Sequence, residues 1–569
     1  MTDQHTPTYR VLAHDIKALG ITCVFGLMSD DTAMFATELD TIGVRFIGAR
    51  HENNAIAMAE GHASATGQLA IAIIGRGPAA ANGLHAAISA SRTGSKVLII
   101  YGEAPVGGQG LGGAANGIGP DYKAFNSRGV MSAAGLQSFF PTSPHGARAA
   151  LGDAIRAAAW GQAVTLHLPT DVQLSDIVVG EGKGSPSLPE PITPAPAREQ
   201  SITMVVNLLA NSQRPLIMAG LGAHKAGAGP LLAELAEKTG ALLATSARGK
   251  DMFNGNNDGN ANNLGIIGSF SHSLARRYAE QADCVLVFGA SLNFLTMSFG
   301  ASLPAVPLIH IDRARNSIGR YTAADVAVVG DAGEVAAQIL AAVPERSAEE
   351  KPFHAAAVRQ DIAAFDIAGD FEPMPTARTV DPRSLGLALD RILPAKRNLV
   401  YDAGNFLGVV PYVSAPGPGQ FKMTNEFASI GLGFGTALGV AKARPDETTV
   451  LFIGDGGFVM TISELETAAR EDLSLVVVVM NDCAYGAELH LLRAHQQPVA
   501  KSLFPDVDFA PIAEAFGFEV ATIRTLDDLA AAAPLLQDPQ GPVLLDCKIN
   551  ADIAAPFMGE VAAFENRNR

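Results

Sequence analysis

The sequence is poor in the residues that mark disulfide-stapled, membrane-spanning or disordered proteins. Its 569 residues include only four cysteines and one tryptophan, with 17% charged and 6% aromatic residues. The cysteines are scattered without a CxxC spacing, which excludes a disulfide framework or a zinc knuckle and fits a reducing cytoplasm. No run approaches the apolar length of a membrane span, and the N-terminus has no signal-peptide core. We therefore expect a cytoplasmic protein without a membrane partner.

Basic residues are outnumbered by acidic ones. The chain has 41 lysines and arginines against 57 aspartates and glutamates, for a net charge of -16. Such a charge repels phosphate backbones, which argues against nucleic acid as a partner. Because 48% of the residues are hydrophobic, the chain can bury large cores, and its length suits about three domains.

Two stretches divide the chain into thirds: 180–200 is rich in proline and glycine, and 343–383 is charged and contains several prolines. Within the thirds, short apolar runs ending in Gly, Asp or Asn alternate with alanine-rich segments of helical period, which is typical of buried parallel strands in α/β proteins. The runs are Ala70–Gly75, Lys96–Gly102, Pro215–Gly220, Val285–Gly289, Pro307–Asp312, Thr449–Gly454, Leu475–Asn481 and Pro542–Asp546. We predict an α/β fold of three doubly wound parallel sheets. The predicted domains are 1–182 (pyrimidine-binding), 198–342 (central) and 380–569 (diphosphate-binding).

Two acidic loops in the last third are the most informative feature. One strand runs into Gly454-Asp455-Gly456-Gly457, and the next strand ends at Asn481-Asp482. Because sequential strands are usually neighbours, we expect Asp455 and Asp482 to converge at one sheet edge. The glycines let main-chain N–H groups approach a phosphate closely. Two carboxylates, a main-chain carbonyl and phosphate oxygens would suit Mg²⁺.

This segment resembles the thiamine diphosphate (ThDP) enzymes of the pyruvate decarboxylase, acetolactate synthase and 2-hydroxyacyl-CoA lyase superfamily. Their signature is Gly-Asp-Gly followed, at the end of the next strand, by Asn-Asn or Asn-Asp. The resemblance implies that Asp455, Asp482 and the carbonyl of Ala484 hold Mg²⁺ against the cofactor diphosphate. Gly404-Asn405-Phe406 resembles a further diphosphate loop. The cofactor contacts implied at this end are Gly454, Gly456, Gly457, Asn405 and Tyr485.

The other end of the cofactor has its own motif. The string from Arg50-His51-Glu52 to Gly61 resembles the pyrimidine-domain motif of the family, in which the glutamate activates the cofactor by pairing with its N1′ atom. The resemblance therefore makes Glu52 the activator, Asn82 a cofactor contact, and Ile430 the apolar support of the bent cofactor. In that family the two halves of the cofactor are held by different subunits. A homodimer is then the minimum unit, and a homotetramer is expected.

Two further acids align with active-site acids of pyruvate decarboxylases. They are Asp30, in Phe25–Asp30, and Glu488, in Tyr485–Glu488. A buried carboxyl pair at these positions could shuttle protons to and from the substrate. The loop 105–123 contains no histidine, which argues against a simple aldehyde-releasing decarboxylase, and its seven glycines predict a mobile or close-packed segment. Glu103 stands where acetolactate synthases have a glutamine, which argues against pyruvate-to-acetolactate chemistry.

The central third does not carry a dinucleotide fingerprint. Gly220–Lys225 departs from GxGxxG and predicts a tight turn, and Gly289–Phe294 replaces the flavin pattern of acetolactate synthases, which argues against FAD. The same string is closer to that of oxalyl-CoA decarboxylases and 2-hydroxyacyl-CoA lyases. However, Ser291 stands where their nucleotide-binding arginine would be, so CoA binding stays open.

The resemblance predicts a ThDP- and Mg²⁺-dependent carboligase or lyase that makes or breaks a C–C bond next to a carbonyl. Its substrate would be a 2-oxo acid or an acyloin-type compound, as in enzymes similar to acetolactate synthase. The alternative is a 2-hydroxyacyl-CoA lyase or an oxalyl-CoA-type decarboxylase, followed by a simple 2-oxo acid decarboxylase. A noncatalytic relative and a nicotinamide oxidoreductase remain as hypotheses from other classes.

Overall fold

The computed structural model describes residues 5–106, 123, 125–178, 185–254, 260–347, 349, 351–537, 539 and 541–567. Most of the predicted glycine-rich loop lies outside these residues. Three large parallel sheets follow one another along the chain, each covered by helices. The predicted α/β class with three doubly wound sheets is confirmed. The predicted domain boundaries stay predictions, although each sheet lies within one predicted domain.

The N-terminal sheet has, among the described residues, six parallel strands in the order β3-β2-β4-β5-β7-β6. A short antiparallel pair, β1 with β8, lies apart from it. The elements are β1 His5–Pro7, α1 Thr8–Ala18, β2 Cys23–Gly26, α2 Ala33–Thr41, β3 Arg45–Gly48, α3 Glu52–Thr66, β4 Ala70–Ile74, α4 Pro78–Thr93, β5 Val97–Glu103, α5 Ser127–Ala133, β6 Gln137–Phe139, α6 Pro144–Ala159, β7 Ala163–Pro169, α7 Thr170–Leu174 and β8 Asp176–Val178.

The central sheet has the strand order β11-β10-β9-β12-β13-β14 in the described residues. Its elements, with one helix of the following linker, are α8 Glu199–Asn211, β9 Pro215–Ala219, α9 Leu221–Lys225, α10 Gly229–Thr239, β10 Leu242–Thr245, β11 Asn263–Ile266, α11 Ser273–Ala279, β12 Cys284–Phe288, β13 Leu308–Asp312, β14 Val326–Val329, α12 Ala332–Ala342 and α13 Ala356–Ala364. The tight turn predicted after Gly220 is the short helix α9, because the chain continues directly into one helical turn.

The C-terminal sheet has the order β16-β15-β17-β18-β20-β19 in the described residues. Its elements are α14 Pro382–Ile392, β15 Arg397–Tyr401, β16 Phe421–Met423, α15 Gly433–Ala443, β17 Thr448–Gly454, α16 Asp455–Thr461, α17 Glu464–Arg470, β18 Leu475–Asn481, α18 Gly486–Ala494, α19 Ala510–Glu514, β19 Glu519–Ile523, α20 Leu526–Gln537, β20 Val543–Lys548 and α21 Pro556–Arg567.

Each sheet reverses its strand order at one point, where the loops beyond two adjacent strands leave a crevice. In the C-terminal sheet this point lies between β15 and β17, and in the central sheet between β9 and β12. The sequence predicted a loop after β17, but α16 begins at Asp455 itself. The first N–H groups of that helix have no main-chain acceptors within the helix, and those of Asp455 and Gly456 donate to the Asp455 carboxylate.

The first and last sheets are joined by the close packing of α3 against α15. A side chain at Gly61 would collide with the main chain of Thr436, and one at Gly439 would collide with the main chain of Met58. The helices can therefore approach this closely only because glycines stand at the crossing. The apolar residues of both domains form one continuous buried cluster around it.

A buried ion pair crosses the same interface. Lys422 Nζ lies 2.6 Å from Glu60 Oε1, and the two side chains are 10% and 7% exposed. Ser95 donates a second hydrogen bond to the same carboxylate. Among the helices of the described residues, none combines the length and apolar character required to cross a bilayer.

Candidate active site

The acidic side chains of the two predicted loops converge at the edge of the C-terminal sheet. β17 and β18 are hydrogen-bonded neighbours with Gly454 opposite Met480, so Asp455 and Asp482 follow adjacent strand ends. Burial raises the pKa of Asp455 to about 6. Burial, and then the adjacent Asp455 carboxylate, raise the pKa of Asp482 well above its ordinary value. Two carboxyl groups that disfavour each other's ionisation form a site that a cation would stabilise.

The donor set fits a hard cation that also binds a phosphate. The described residues hold no cluster of three or more potential metal-ligating His, Cys, Asp or Glu side chains. Mg²⁺ commonly uses only one or two carboxylates and completes its shell with other oxygens. Asp482 Oδ1 accepts a hydrogen bond from the N–H of Ala484 at 3.1 Å, and Ala484 bridges to Leu503 in the adjoining segment. The turn that carries the predicted carbonyl ligand is therefore fixed.

Three of the predicted cofactor contacts meet at one point beside this pair. A methyl group on Gly456 would lie 2.7 Å from the Tyr485 ring and 3.8 Å from Cδ1 of Ile430. Tyr485 is 41% exposed and packs edge-on against Phe504 with ring centroids 4.7 Å apart. Ile430 is half-buried and lies three residues before α15. An apolar ledge thus adjoins the acidic pair, and only glycine at position 456 leaves it open.

Asn405 lies beside the acidic pair but uses its side chain elsewhere. Its Nδ2 donates to the carbonyl of Ile553 at 2.9 Å, and its Oδ1 accepts from the N–H of Ala555 at 2.8 Å. Its Cβ would contact a methyl group on Gly486 at 3.1 Å, so its main chain borders the turn after Asp482. The side chain of Asn405 therefore fastens the loop at 553–555 to the site.

Glu52 begins α3 and is buried, with 9% of its surface exposed. His51 caps the helix by accepting a hydrogen bond from the N–H of Asn53. A carboxylate in the first turn is favoured by the helix dipole. Asn82 Nδ2 donates to Glu52 Oε2 at 3.1 Å, so the predicted contact residue Asn82 holds the predicted activator. The carboxylate is therefore oriented before any ligand binds.

The Glu52 side of the chain contacts the segment that carries Ile430. His85, on the same helix as Asn82, lies 2.6 Å from Ser429 Oγ. The N–H of Arg50 donates to Glu464 Oε1 at 2.9 Å, and Glu464 is completely buried. These contacts were not anticipated from the sequence, because nothing along the chain links residues some 400 positions apart. The predicted division of the cofactor between two subunits stays a prediction.

The structure does not bury the two acids predicted to exchange protons. Asp30 has a side chain that is 59% exposed and pairs with Lys123. The hydrogen bond from Lys123 lowers the pKa of Asp30. Its neighbour Asp31, which the sequence did not single out, is buried and lies 2.6 Å from Arg76 Nε. Glu488 is exposed on α18. Within one chain, neither predicted acid occupies an enclosed site.

Glu103 ends β5 at the same sheet edge as Glu52 and belongs to a buried polar cluster. Its Oε2 accepts a hydrogen bond from Ser127 at 2.7 Å and lies 3.4 Å from His167 Nδ1. Burial alone would raise the pKa of Glu103, but hydrogen bonds from His167 and Ser127 outweigh it and lower the pKa. The carboxyl group at this edge is therefore held in its ionised form.

A cavity of about 380 Å³ opens at the reversal point of the central sheet. Its lining includes Ser291, the basic residues Lys225, Arg248 and Arg313, and the acidic residues Asp312, Asp331 and Glu426. Burial, and then the neighbouring cations, lower the pKa of Lys225 to about 8. A side chain at Gly222 would collide with the main chain of Gly289, so the two loops meet closely at the floor of the cavity. Arg248 is already paired with Glu426 at 3.0 Å, so the cavity presents charges of both signs.

Comparisons with known proteins agree with this architecture. Three family models match: the N-terminal TPP binding domain of thiamine pyrophosphate enzymes over residues 8–125, their central domain over 202–339, and their C-terminal TPP binding domain over 402–547. TPP, or thiamine pyrophosphate, is the same compound as ThDP. The match covers the three sheets in order, and the chain belongs to the ThDP-dependent enzyme superfamily.

Curated relatives extend over nearly the whole chain. The large subunit of acetolactate synthase isozyme 1 of Escherichia coli is 26% identical over 560 residues, covering 95% of this chain and 93% of the relative. The sulfoacetaldehyde acetyltransferase of Rhodobacter capsulatus is 26% identical over 568 residues, with the same coverage. The large subunit of acetolactate synthase isozyme 2 of E. coli is 24% identical over 556 residues, covering 95% of both chains.

Proposed function

We propose that the protein is a ThDP- and Mg²⁺-dependent carboligase or acyltransferase that makes or cleaves a C–C bond next to a carbonyl. The observation that carries the proposal is the pair of carboxyl groups at adjacent strand ends, the buried Asp455 and the half-buried Asp482. The relatives named acetolactate synthase and sulfoacetaldehyde acetyltransferase support this reaction class. When bound, ThDP supplies a carbon nucleophile that adds to a carbonyl group.

Each residue around the site has a defined part in this proposal. Asp455, Asp482 and the carbonyl of Ala484 would hold Mg²⁺ against the diphosphate. Glu52, oriented by Asn82, would hold a proton at the pyrimidine nitrogen. Ile430 and Tyr485 would orient the rings and keep water away from the reacting carbon.

Glu103 bears on the choice of substrate. An ionised carboxylate at the carboxyl end of β5 repels a second carboxylate brought close to it. We therefore expect an acyloin-type substrate, or another uncharged carbonyl compound, to be used more efficiently than two molecules of 2-oxo acid. Glu103→Gln should shift that preference toward 2-oxo acids, and the measurement is kcat/KM for both classes. A preference that is the same in both proteins would remove Glu103 from the specificity argument.

The first experiment measures ThDP binding in the presence of Mg²⁺ by titration calorimetry. The wild-type protein should bind ThDP, Asp455→Ala should lose it, and Glu52→Gln should keep it because Glu52 lies away from the diphosphate. Turnover of a panel of 2-oxo acids and acyloins should disappear in Glu52→Gln. A wild-type protein that releases no heat with ThDP and Mg²⁺ would end the proposal.

We also propose that the active unit is at least a homodimer, with a homotetramer expected. Val459 and Met460, on the helix that Asp455 begins, are 53% and 60% exposed, and Met460 would contact a side chain at Gly431. An apolar surface beside the cofactor site supports a covering subunit.

Mixing two inactive variants tests this arrangement. If each site takes Glu52 from one subunit and Asp455 from the other, then unfolding and reassembling Glu52→Gln together with Asp455→Ala should restore about a quarter of the wild-type activity. Half of the dimers would be hybrids, and each hybrid would contain one intact site. If the reassembled hybrids show no activity, Glu52 and Asp455 of each site belong to the same subunit.

The second candidate function is a 2-hydroxyacyl-CoA lyase or an oxalyl-CoA-type decarboxylase. The observation that favours it is the cavity at the central domain, where Lys225 and Arg313 could face the phosphates of CoA. Comparing turnover of free acids with that of their CoA thioesters separates the two candidates. Lys225→Met should raise the KM for thioesters alone if this second function holds.

A further inference from the structure

One carboxylate near the site has no part in the chemistry proposed above. Asp402 follows β15 at the point where the C-terminal sheet reverses its strand order, and none of its surface is exposed. Within the described residues, no lysine, arginine or histidine forms an ion pair with it. Burial raises the pKa of Asp402. A buried carboxylate without a counter-ion is costly, so its hydrogen bonds indicate what it does.

Those hydrogen bonds hold the loop that precedes α15. Asp402 Oδ2 accepts from the N–H of Gly431 at 2.7 Å, and Oδ1 accepts from the N–H of Gly433 at 3.1 Å. Thr424 Oγ1 donates to Oδ1 at 3.1 Å. A single carboxylate thus fixes two main-chain N–H groups that are two residues apart, which sets the path of the chain between and just before them.

Ile430 immediately precedes this clamped stretch. Its Cδ1 lies beside the open space at Gly456, next to the Tyr485 ring. A side chain at Gly457 would collide with Asp402 Oδ2, so the carboxylate also packs directly under the first turn of α16. Asp402 therefore connects the acidic helix start with the apolar ledge, although it reaches neither the metal position nor the ring position itself.

We propose that Asp402 is a positioning residue that fixes Ile430 against the rings of the cofactor by holding Gly431 and Gly433. The proposal rests on the function proposed above. Asn at position 402 keeps the size of the side chain but turns one acceptor into an N–H₂ donor. One main-chain N–H would then face another donor, and the loop must shift to relieve that contact.

The test compares two ligands of the same site by titration calorimetry with Mg²⁺ present: ThDP, and inorganic pyrophosphate, which lacks the rings. Asp402→Asn should weaken ThDP by roughly tenfold to a hundredfold, the range for a lost hydrogen bond to a charged group, and leave pyrophosphate unchanged. Ile430→Ala should act in the same way. The double variant should bind ThDP no more weakly than Ile430→Ala alone, because Asp402 acts through Ile430.

Two further variants protect the test from a simple loss of folding. Thr424→Val removes one donor to the carboxylate and should cause a smaller weakening of ThDP that disappears in the Ile430→Ala background. Asp381→Asn is the matched control, since Asp381 is a buried aspartate of the same domain that caps α14. It should leave the affinities for both ligands unchanged.

The outcomes separate the inference from the function on which it rests. If the wild-type protein binds ThDP but Asp402→Asn binds it equally well, the positioning role is wrong and the function stands. Additive effects of Asp402→Asn and Ile430→Ala, or equal weakening of pyrophosphate, would also overturn it. If the wild-type protein binds neither ligand, the proposed function fails first.

Discussion

Asp455→Asn should make the metal-free protein more stable near pH 7 while removing its cofactor site. Burial raises the pKa of Asp455 from the ordinary 3.8 to about 6, so the folded chain holds a proton at this position more tightly than the unfolded chain. Ionisation then opposes folding. The cost is fully present above the folded pKa and disappears as the pH falls to the unfolded value.

The size of the effect follows from the same two values. A pKa raised from 3.8 to about 6 corresponds to roughly 3 kcal/mol of lost stability at neutral pH. Asparagine has the same shape and no charge. Asp455→Asn should therefore gain up to roughly 3 kcal/mol near pH 7 and almost nothing near pH 4. The neighbouring Asp482 should add to the gain, because the variant no longer places a second charge beside it.

Scanning calorimetry of the metal-free proteins at both pH values measures this difference. Asp381→Asn is a control for which the opposite change in stability is expected. Burial alone would raise the pKa of Asp381, but hydrogen bonds from Arg383 and the main chain lower it. That control should lose stability near pH 7. Adding Mg²⁺ and ThDP should raise the unfolding temperature of the wild type and leave Asp455→Asn unchanged. If Asp455→Asn is less stable than the wild type near pH 7, or gains equally at both pH values, the reasoning fails.

Three other predictions concern the interface and the surface. Lys422→Met leaves the Glu60 carboxylate buried without its cation, so calorimetry should show a loss of about 3–5 kcal/mol. Lys442→Met, its control, should cost at most about 1 kcal/mol, because the partner Glu471 keeps its ion pairs with Arg45 and Arg470; equal losses would contradict the argument. Gly439→Ala should cost about 1–3 kcal/mol or more, because its methyl group would enter the main chain of α3; an unchanged unfolding temperature would contradict the close packing. Glu488→Gln should alter the ratio of products or slow their release in assays of the loaded enzyme, and an unaltered product profile would leave the residue without a catalytic part.

The strands and the acidic pair could be predicted because their signals are local. The runs beginning at Ala70, Pro215 and Leu475 are strands within a residue of their predicted starts, since continuous apolar runs bounded by glycine or asparagine fit only a sheet buried on both faces. Asp455 and Asp482 could be paired because neighbouring parallel strands end at the same edge. The sequence underestimated the helix after Gly454, because glycines in its first turn resemble a loop.

The rest of the site depends on contacts between distant parts of the chain. Asp402, Glu464 and Asp31 carry no motif, and their roles emerge only when the strands and helices around them are assembled. Alignment with a family position selected Asp30 as an active-site acid. In the structure Asp30 is exposed, and its neighbour Asp31 is the buried carboxylate. Asn405 was placed in the diphosphate loop, but its side chain holds the segment at 553–555. Packing and hydrogen bonding between distant segments determine the roles of these residues, and the sequence alone does not show which segments meet.

The helix crossing between the first and last domains also has a consequence for biosynthesis. The ion pair at this crossing joins residues 362 positions apart, with the whole central domain between them. At a translation rate of about 5–20 residues per second, the apolar face of α3 waits roughly 20–70 s on the ribosome before its partner helix emerges. During that interval the nascent chain exposes this apolar face. The yield of folded protein in the cell should therefore depend on chaperones that cover α3 until synthesis is complete.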